Sequence, residues 1–295
     1  MSRAAELGER KEVLLRQGPI RYCERGAGEP IVFVHPMVVN GDLWRKVVPL
    51  LADGYRCITP DWPLGGHDVP MSPAADLSPP GIADTIADFI SALDLSGVTL
   101  VGNDTGGALS QLVITRRPER IGRVVLVTCD AFDNFPPLAA KPLVWLSHVP
   151  GLPRIGGTLI AHSRRLQRSP FAFGTLVKSG IDSDVAYRYV SPSLANPSVR
   201  RDARKALRGL APRHTLEAAR LLDRFDGPAL VAWNPEDRFF PFEHAERLVE
   251  LLPKARLEVI DDSYTFVPED QPHRLAEVIS SFVAVTEPRE PSLIP

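Results

Sequence analysis

The chain is predicted to fold as an α/β protein, a mostly parallel central sheet flanked by helices with a helical lid inserted late, and three observations carry that prediction. Short β-rich apolar runs recur at Ile31–Val34, Tyr55–Thr59, Val98–Val101, Arg123–Val127 and Ala229–Trp233, as expected of strands buried on both faces. Between them, Ile82–Leu95, Ala108–Thr115 and His244–Leu252 place apolar residues every three or four positions, the period of an amphipathic helix. This alternation stops after Asp130 and resumes near Gly227, leaving a stretch rich in proline, arginine and helix-like pieces.

Taken in order, Met1 to Lys11 is polar and charged, with no apolar core of a secretory signal. Val13–Leu15 and Ile20–Cys23, joined near Gly18-Pro19, read as an antiparallel pair opening the sheet. The core is therefore expected over 11–130 and 222–285, with the helical insertion over 131–221. Phe135, Trp145, Phe171, Phe173 and Leu176 of the insertion need apolar surface to cover, and the mouth of the sheet is the natural place. Thr286 to Pro295 carries three prolines and no periodicity, and is expected to be a loose tail.

A formal charge of −2 and 24% charged residues give no electrostatic case for nucleic acid, so a small apolar or aromatic substrate is the expected partner. No run reaches the ~18 apolar residues of a membrane span, and the expectation is a cytoplasmic protein with no membrane partner. A homodimer is carried as an open expectation, since oligomeric state leaves no mark on the pattern. Cys23, Cys57 and Cys129 sit in or beside strand-like runs and are expected as buried thiols. No spacing suggests a metal or an organic cofactor.

The chemistry is concentrated in Gly102-Asn103-Asp104-Thr105-Gly106-Gly107, between the strand ending at Val101 and the helix beginning near Ala108. A sharp strand-to-helix turn with small residues on both sides is the setting of a nucleophile elbow, and helix N–H dipoles beneath it favour an anion. A lone aspartate there could instead cap the helix, but strand, helix and flanking glycines together favour a reactive carboxylate.

These residues resemble the α/β-hydrolase family, and within it the aspartate-nucleophile branch of haloalkane dehalogenases and epoxide hydrolases. The likeness covers about residues 11 to 285. It implies the α/β-hydrolase fold and makes Asp104 the nucleophile. His35-Pro36-Met37 stands at the family's oxyanion loop, so the donors implied are the N–H groups of Met37 and Thr105. Asp61 to His67 resembles the Asp-x-Pro-Gly-x-Gly loop. Asn234-Pro235-Glu236-Asp237 looks like the catalytic-acid turn, making Asp237 the acid, while Asp130 stands where some dehalogenases keep theirs. The family's Gly-His-Phe is replaced by Tyr264-Thr265-Phe266, so Thr265 falls where the catalytic histidine belongs, and a threonine hydroxyl is not a base near neutral pH.

Thr105 also stands where dehalogenases carry a tryptophan, which weakens the halide reading; epoxide hydrolases use lid tyrosines to donate to the epoxide oxygen, and Tyr187 and Tyr189 lie in the lid, where both could equally be packing residues. Two residues apart on a helix, they cannot both point inward. His35, Trp145, Tyr187 and Tyr264 are the candidate substrate contacts, and His67 a loop histidine able to approach the site. Three functions remain open: an Asp104-nucleophile hydrolase, epoxide-like more than halide-like; a non-hydrolytic enzyme using Asp104 as base; and a silent ligand binder.

Overall fold

In the computed structural model, which describes residues 3–149, 152–170 and 172–290, an eight-stranded sheet runs through the molecule in the order β1-β2-β4-β3-β5-β6-β7-β8. The strands are β1 (Glu9–Leu15), β2 (Gly18–Arg25), β3 (Glu29–Val34), β4 (Tyr55–Pro60), β5 (Val98–Asp104), β6 (Ile121–Cys129), β7 (Ala229–Trp233) and β8 (Ala255–Val259). β1 and β2 pair antiparallel, β2 joins β4 antiparallel, and every other pairing is parallel. All of β6 and β7 is buried, as a strand covered by helices on both faces must be. The one strand without a sequence signal is β8, a half-exposed edge of alternating charge, Ala-Arg-Leu-Glu-Val.

Two apolar layers form the core. One packs α2 (Pro79–Ala92), α3 (Thr105–Arg116) and α10 (Phe242–Leu251) on one face; the other packs α1 (Val48–Leu51) and α12 (Pro272–Val285) on the opposite face. Caps fix where helices start: the Ser78 hydroxyl accepts from Gly81 N–H, and prolines fill the first turn of α2.

Between β6 and β7 the chain forms α4 (Lys141–Leu146), α5 (Leu152–His162), α6 (Arg164–Gln167), α7 (Ser183–Ala195), α8 (Pro197–Gly209) and α9 (Pro212–Ala219); α11 (Val267–Asp270) follows β8. This insertion is fastened to the loops at the sheet's carboxyl edge. Glu269, almost wholly buried, accepts from both guanidinium nitrogens of Arg45 (2.5 and 2.9 Å) and from the Tyr189 hydroxyl (3.0 Å). Asp202 accepts from the Met71 N–H at 2.8 Å, and Asn40 donates to the Arg188 carbonyl at 3.0 Å. A buried carboxylate with this many donors is strongly destabilising to unpair, by about 3–5 kcal/mol. Phe171 lies outside the described residues, while Phe135 and Phe173 are buried and Leu176 partly so.

The tail differs from expectation over 286–290. The buried Arg123 guanidinium donates to the Thr286 carbonyl and, at 2.9 Å, to its hydroxyl, and the Arg289 N–H donates to the Gly122 carbonyl at 2.9 Å. A buried cation inside β6 needs acceptors, and the segment after α12 supplies them; residues 291–295 lie outside the described residues. The amino-terminal stretch is tied down as well, since the Arg3 guanidinium sits on Asp61, both buried. The three cysteines are free and buried.

Candidate active site

The elbow is built by backbone that leaves no room for side chains. β5 ends at Asp104 with φ 55° and ψ −127°, a conformation that costs a non-glycine residue about 1–3 kcal/mol, and α3 starts at the next residue. A Cβ on Gly106 would run into the Val34 carbonyl, and one on Gly107 into the Cys129 side chain, so strand and helix can close on each other only with glycine at both points.

That turn presents the Asp104 carboxylate asymmetrically. Oδ1 accepts from the Thr105 N–H and, at 2.8 Å, from the Thr105 hydroxyl; Oδ2 has no hydrogen-bond partner among the described residues. The Thr105 N–H expected to face an incoming oxyanion is thus already engaged by the aspartate's own oxygen. The other expected donor, Met37 N–H, has no acceptor among the described residues, while its neighbour Val38, at φ 65°, bonds the Leu64 carbonyl at 2.8 Å. Burial pushes the Asp104 carboxyl up to about 6, the two Thr105 bonds opposing and the nearby Asp237 charge reinforcing the shift.

Asp130 follows β6 almost fully buried, its Oδ1 without a hydrogen-bond partner. Burial, then the charge of Asp104, holds it well above the usual carboxylate range, against the Thr105 hydroxyl. Two carboxyls in one dry site oppose each other's ionisation.

Asp237, at the end of the turn after β7, is surrounded by donors. Its Oδ1 accepts from the N–H groups of Phe239 and Phe240, each at 2.7 Å, and its Oδ2 from the Thr265 hydroxyl at 2.8 Å. Burial nevertheless outweighs these bonds and raises its pKa. Thr265 is itself wholly buried, and its carbonyl accepts from Asn103 Nδ2 at 2.8 Å, which also reaches the Val127 and Thr128 carbonyls. Asn103 thereby ties β5, β6 and the Thr265 turn together directly beneath Asp104. Sequence reading passed over Asn103; its only signal is its place before Asp104.

Among the described residues no histidine is hydrogen-bonded to Asp104, Asp130 or Asp237. Of the expected substrate contacts, His35 is wholly buried: Nε2 accepts from Trp62 N–H at 2.9 Å, Nδ1 donates to the Pro36 carbonyl at 2.8 Å, and burial drives its pKa down to about 3. Both ring nitrogens are spent on backbone, so His35 braces the loop in its neutral form and has none left for a ligand. His67 is likewise engaged, between Gly65 N–H and Asp202. Trp145 is 68% exposed on α4, so it points to solvent instead of covering the sheet's mouth. Tyr187 packs on His162 inside the insertion, ring centroids 5.8 Å apart, and the Tyr189 hydroxyl is taken by Glu269. Tyr264 is half-buried beside the site; its hydroxyl accepts from Arg238 at 2.5 Å and the guanidinium lies 4.3 Å from the ring centroid. No group of His, Cys, Asp and Glu arranged to hold a metal is found among the described residues.

Comparison with known proteins places the fold. The alpha/beta hydrolase family model matches residues 31–278. Haloalkane dehalogenase 2 of Mycobacterium tuberculosis is 27% identical over 276 residues, covering 89% of this chain and 91% of that protein. Among solved structures, the epoxide hydrolase CorEH superposes with a TM-score of 0.76 at 17% identity, covering 94% of this chain and 98% of the other. An alpha/beta hydrolase fold protein from Burkholderia ambifaria gives 0.77 at 19%, covering 92% and 97%. At that identity the superpositions speak for the fold alone.

Proposed function

From the premise that this chain belongs to the alpha/beta hydrolase family, we propose that Asp104 is a nucleophile acting on an electrophilic carbon of a small apolar substrate. One observation carries the reading: a strained carboxylate between β5 and α3 with Oδ1 held by Thr105 and Oδ2 unbonded. Oδ2 attacks the carbon, the bond to the leaving group breaks, and Asp104 becomes an ester whose carbonyl oxygen is Oδ1, already on its donor.

An epoxide is favoured over a halide. Thr105, where a halide-stabilising tryptophan would stand, supports this, whereas the lid tyrosines do not, being engaged elsewhere. When an epoxide opens, its oxygen takes up a proton, and Asp130, whose carboxyl burial and the Asp104 charge shift toward the protonated form, is the source this arrangement offers.

Hydrolysis of the ester is the weak half. The group bonded to the acid Asp237 is the Thr265 hydroxyl, which donates a proton and cannot accept one from water near neutral pH. The ester therefore turns over slowly, by general-base help worth ~10²–10⁴ in the usual case. A second reading is favoured by the Asp104 pKa of about 6: a carboxylate so poised is a competent general base for a ring-opening or elimination step that never forms an ester.

Intact-mass measurement after mixing the protein with a panel of epoxides and alkyl halides decides between them. The nucleophile reading predicts an adduct on the peptide bearing Asp104, with ¹⁸O from labelled water entering that carboxylate on turnover. Conversion of substrate with neither adduct nor label selects the base reading. Ligand binding alone, unchanged in Asp104→Ala, would leave a silent binder.

A further inference from the structure

The insertion concentrates two features in one stretch. Between Asp133 and Asp182 there is no acidic residue, while Lys141, Arg154, Arg164, Arg165, Arg168 and Lys178 supply six cations, in a chain whose formal charge is −2. The same stretch carries most of the large apolar side chains that the protein leaves in water: six of the ten found exposed among the described residues are Leu138, Leu143, Trp145, Ile155, Leu159 and Leu166. Trp145 and Leu138 are 68% and 76% exposed, and Ile155 and Leu159, one turn apart on α5, are 59% and 54% exposed. Arg154, Arg165 and Arg168 are exposed beside them.

Aliphatic side chains and a tryptophan left in water along one stretch mark a contact surface. With Arg154, Arg165 and Arg168 interleaved and no acidic residue in the stretch itself, that surface matches an interface that is both apolar and negatively charged; Lys178, paired with Glu236 and Asp262, lies outside it. We propose that residues 138–149 and 154–168 dock the protein on the surface of an anionic lipid bilayer, the apolar side chains entering the headgroup region and the arginines pairing with lipid phosphates. No helix among the described residues is long and apolar enough to cross a membrane, so this is attachment in the plane of the surface. The expectation of no membrane partner rested on the lack of a spanning run, a criterion blind to a surface contact. The inference is independent of the chemistry at Asp104.

The test is sedimentation of the full chain with vesicles of equal parts phosphatidylglycerol and phosphatidylcholine, against vesicles of phosphatidylcholine alone. Binding to the anionic vesicles is expected, weakened on the order of 30-fold in Arg154→Gln/Arg165→Gln at about 1 kcal/mol per cation, and weakened also in Ile155→Glu/Leu159→Glu. All four positions are exposed, and unchanged melting temperatures verify folding. Equal binding to both vesicle types, no binding to either, or anionic binding that both variants retain overturns the proposal. So does a concentration-dependent dimer that Ile155→Glu/Leu159→Glu dissolves while vesicles stay unbound, because the face would then belong to a second copy.

Discussion

The two sides of the site are built to different standards. On the Asp104 side, glycines at 102, 106 and 107, a strained backbone and the two Thr105 donors hold one carboxylate oxygen and leave the other unbonded. On the Thr265 side the acid is equally well braced, with two N–H donors on Asp237, yet its partner is a buried hydroxyl. On the proposed reading, preorganisation and proton transfer are thus separable: Asp237 is braced as the acid of a relay would be, with the Thr265 hydroxyl as its side-chain partner.

The contrast is broken most severely at Asp104, the proposed nucleophile. Asp104→Asn should abolish adduct formation, by on the order of 10⁴-fold or more, read by intact mass. In the parent, the labelling rate should rise with pH through about 6 as the carboxylate ionises. The same shift bears on stability. A carboxyl with its folded pKa raised contributes stability that is present below the unfolded value and lost as pH rises through about 6. Asp104→Asn should therefore melt higher than the parent above that pH, with the gap closing in acid.

On the proposed reading, Thr265→His supplies a base beside Asp237 and should speed decay of the adduct by ~10²–10⁴; an adduct that decays no faster would show that the hydroxyl is not standing in the base's place. Asp130→Asn should slow epoxide opening by about 10²-fold while sparing halide displacement, which needs no proton. Equal losses on both substrates would remove Asp130 from the proton path. Gly106→Ala, driving a methyl into the Val34 carbonyl, should lower stability by about 1–3 kcal/mol, measured by denaturant titration. The smallest effect is expected of Thr265→Val, which strips one donor from Asp237 at about 1–2 kcal/mol.

What was legible in the sequence follows distance along the chain. The elbow occupies six consecutive residues, and strand, glycines and helix write it locally; the buried strands are equally plain because burial on both faces demands unbroken apolar runs. The bond from Thr265 to Asp237 spans 28 positions and that from Asn103 to Thr265 spans 162, so only the folded chain displays them. Side-chain direction was the other blind spot. Trp145 and Tyr189 are both apolar aromatics of the insertion, and nothing in their spacing reveals that one faces solvent while the other reaches a buried glutamate. β8 escaped notice because an edge strand need not be apolar, and residues 286–290 because their partners are Arg123 and Gly122, far upstream.

The Glu269 junction constrains how ligands travel. Tyr189 on α7 and Arg45 behind β3 grip the same carboxylate, so swinging the insertion away at this point would strand a buried anion. At about 3–5 kcal/mol, an aperture made that way would be populated roughly one part in a hundred to one in several thousand. Exchange that leaves this rivet closed is the cheaper route, so uptake should depend on small side-chain fluctuations and product dwell times should lengthen with ligand girth.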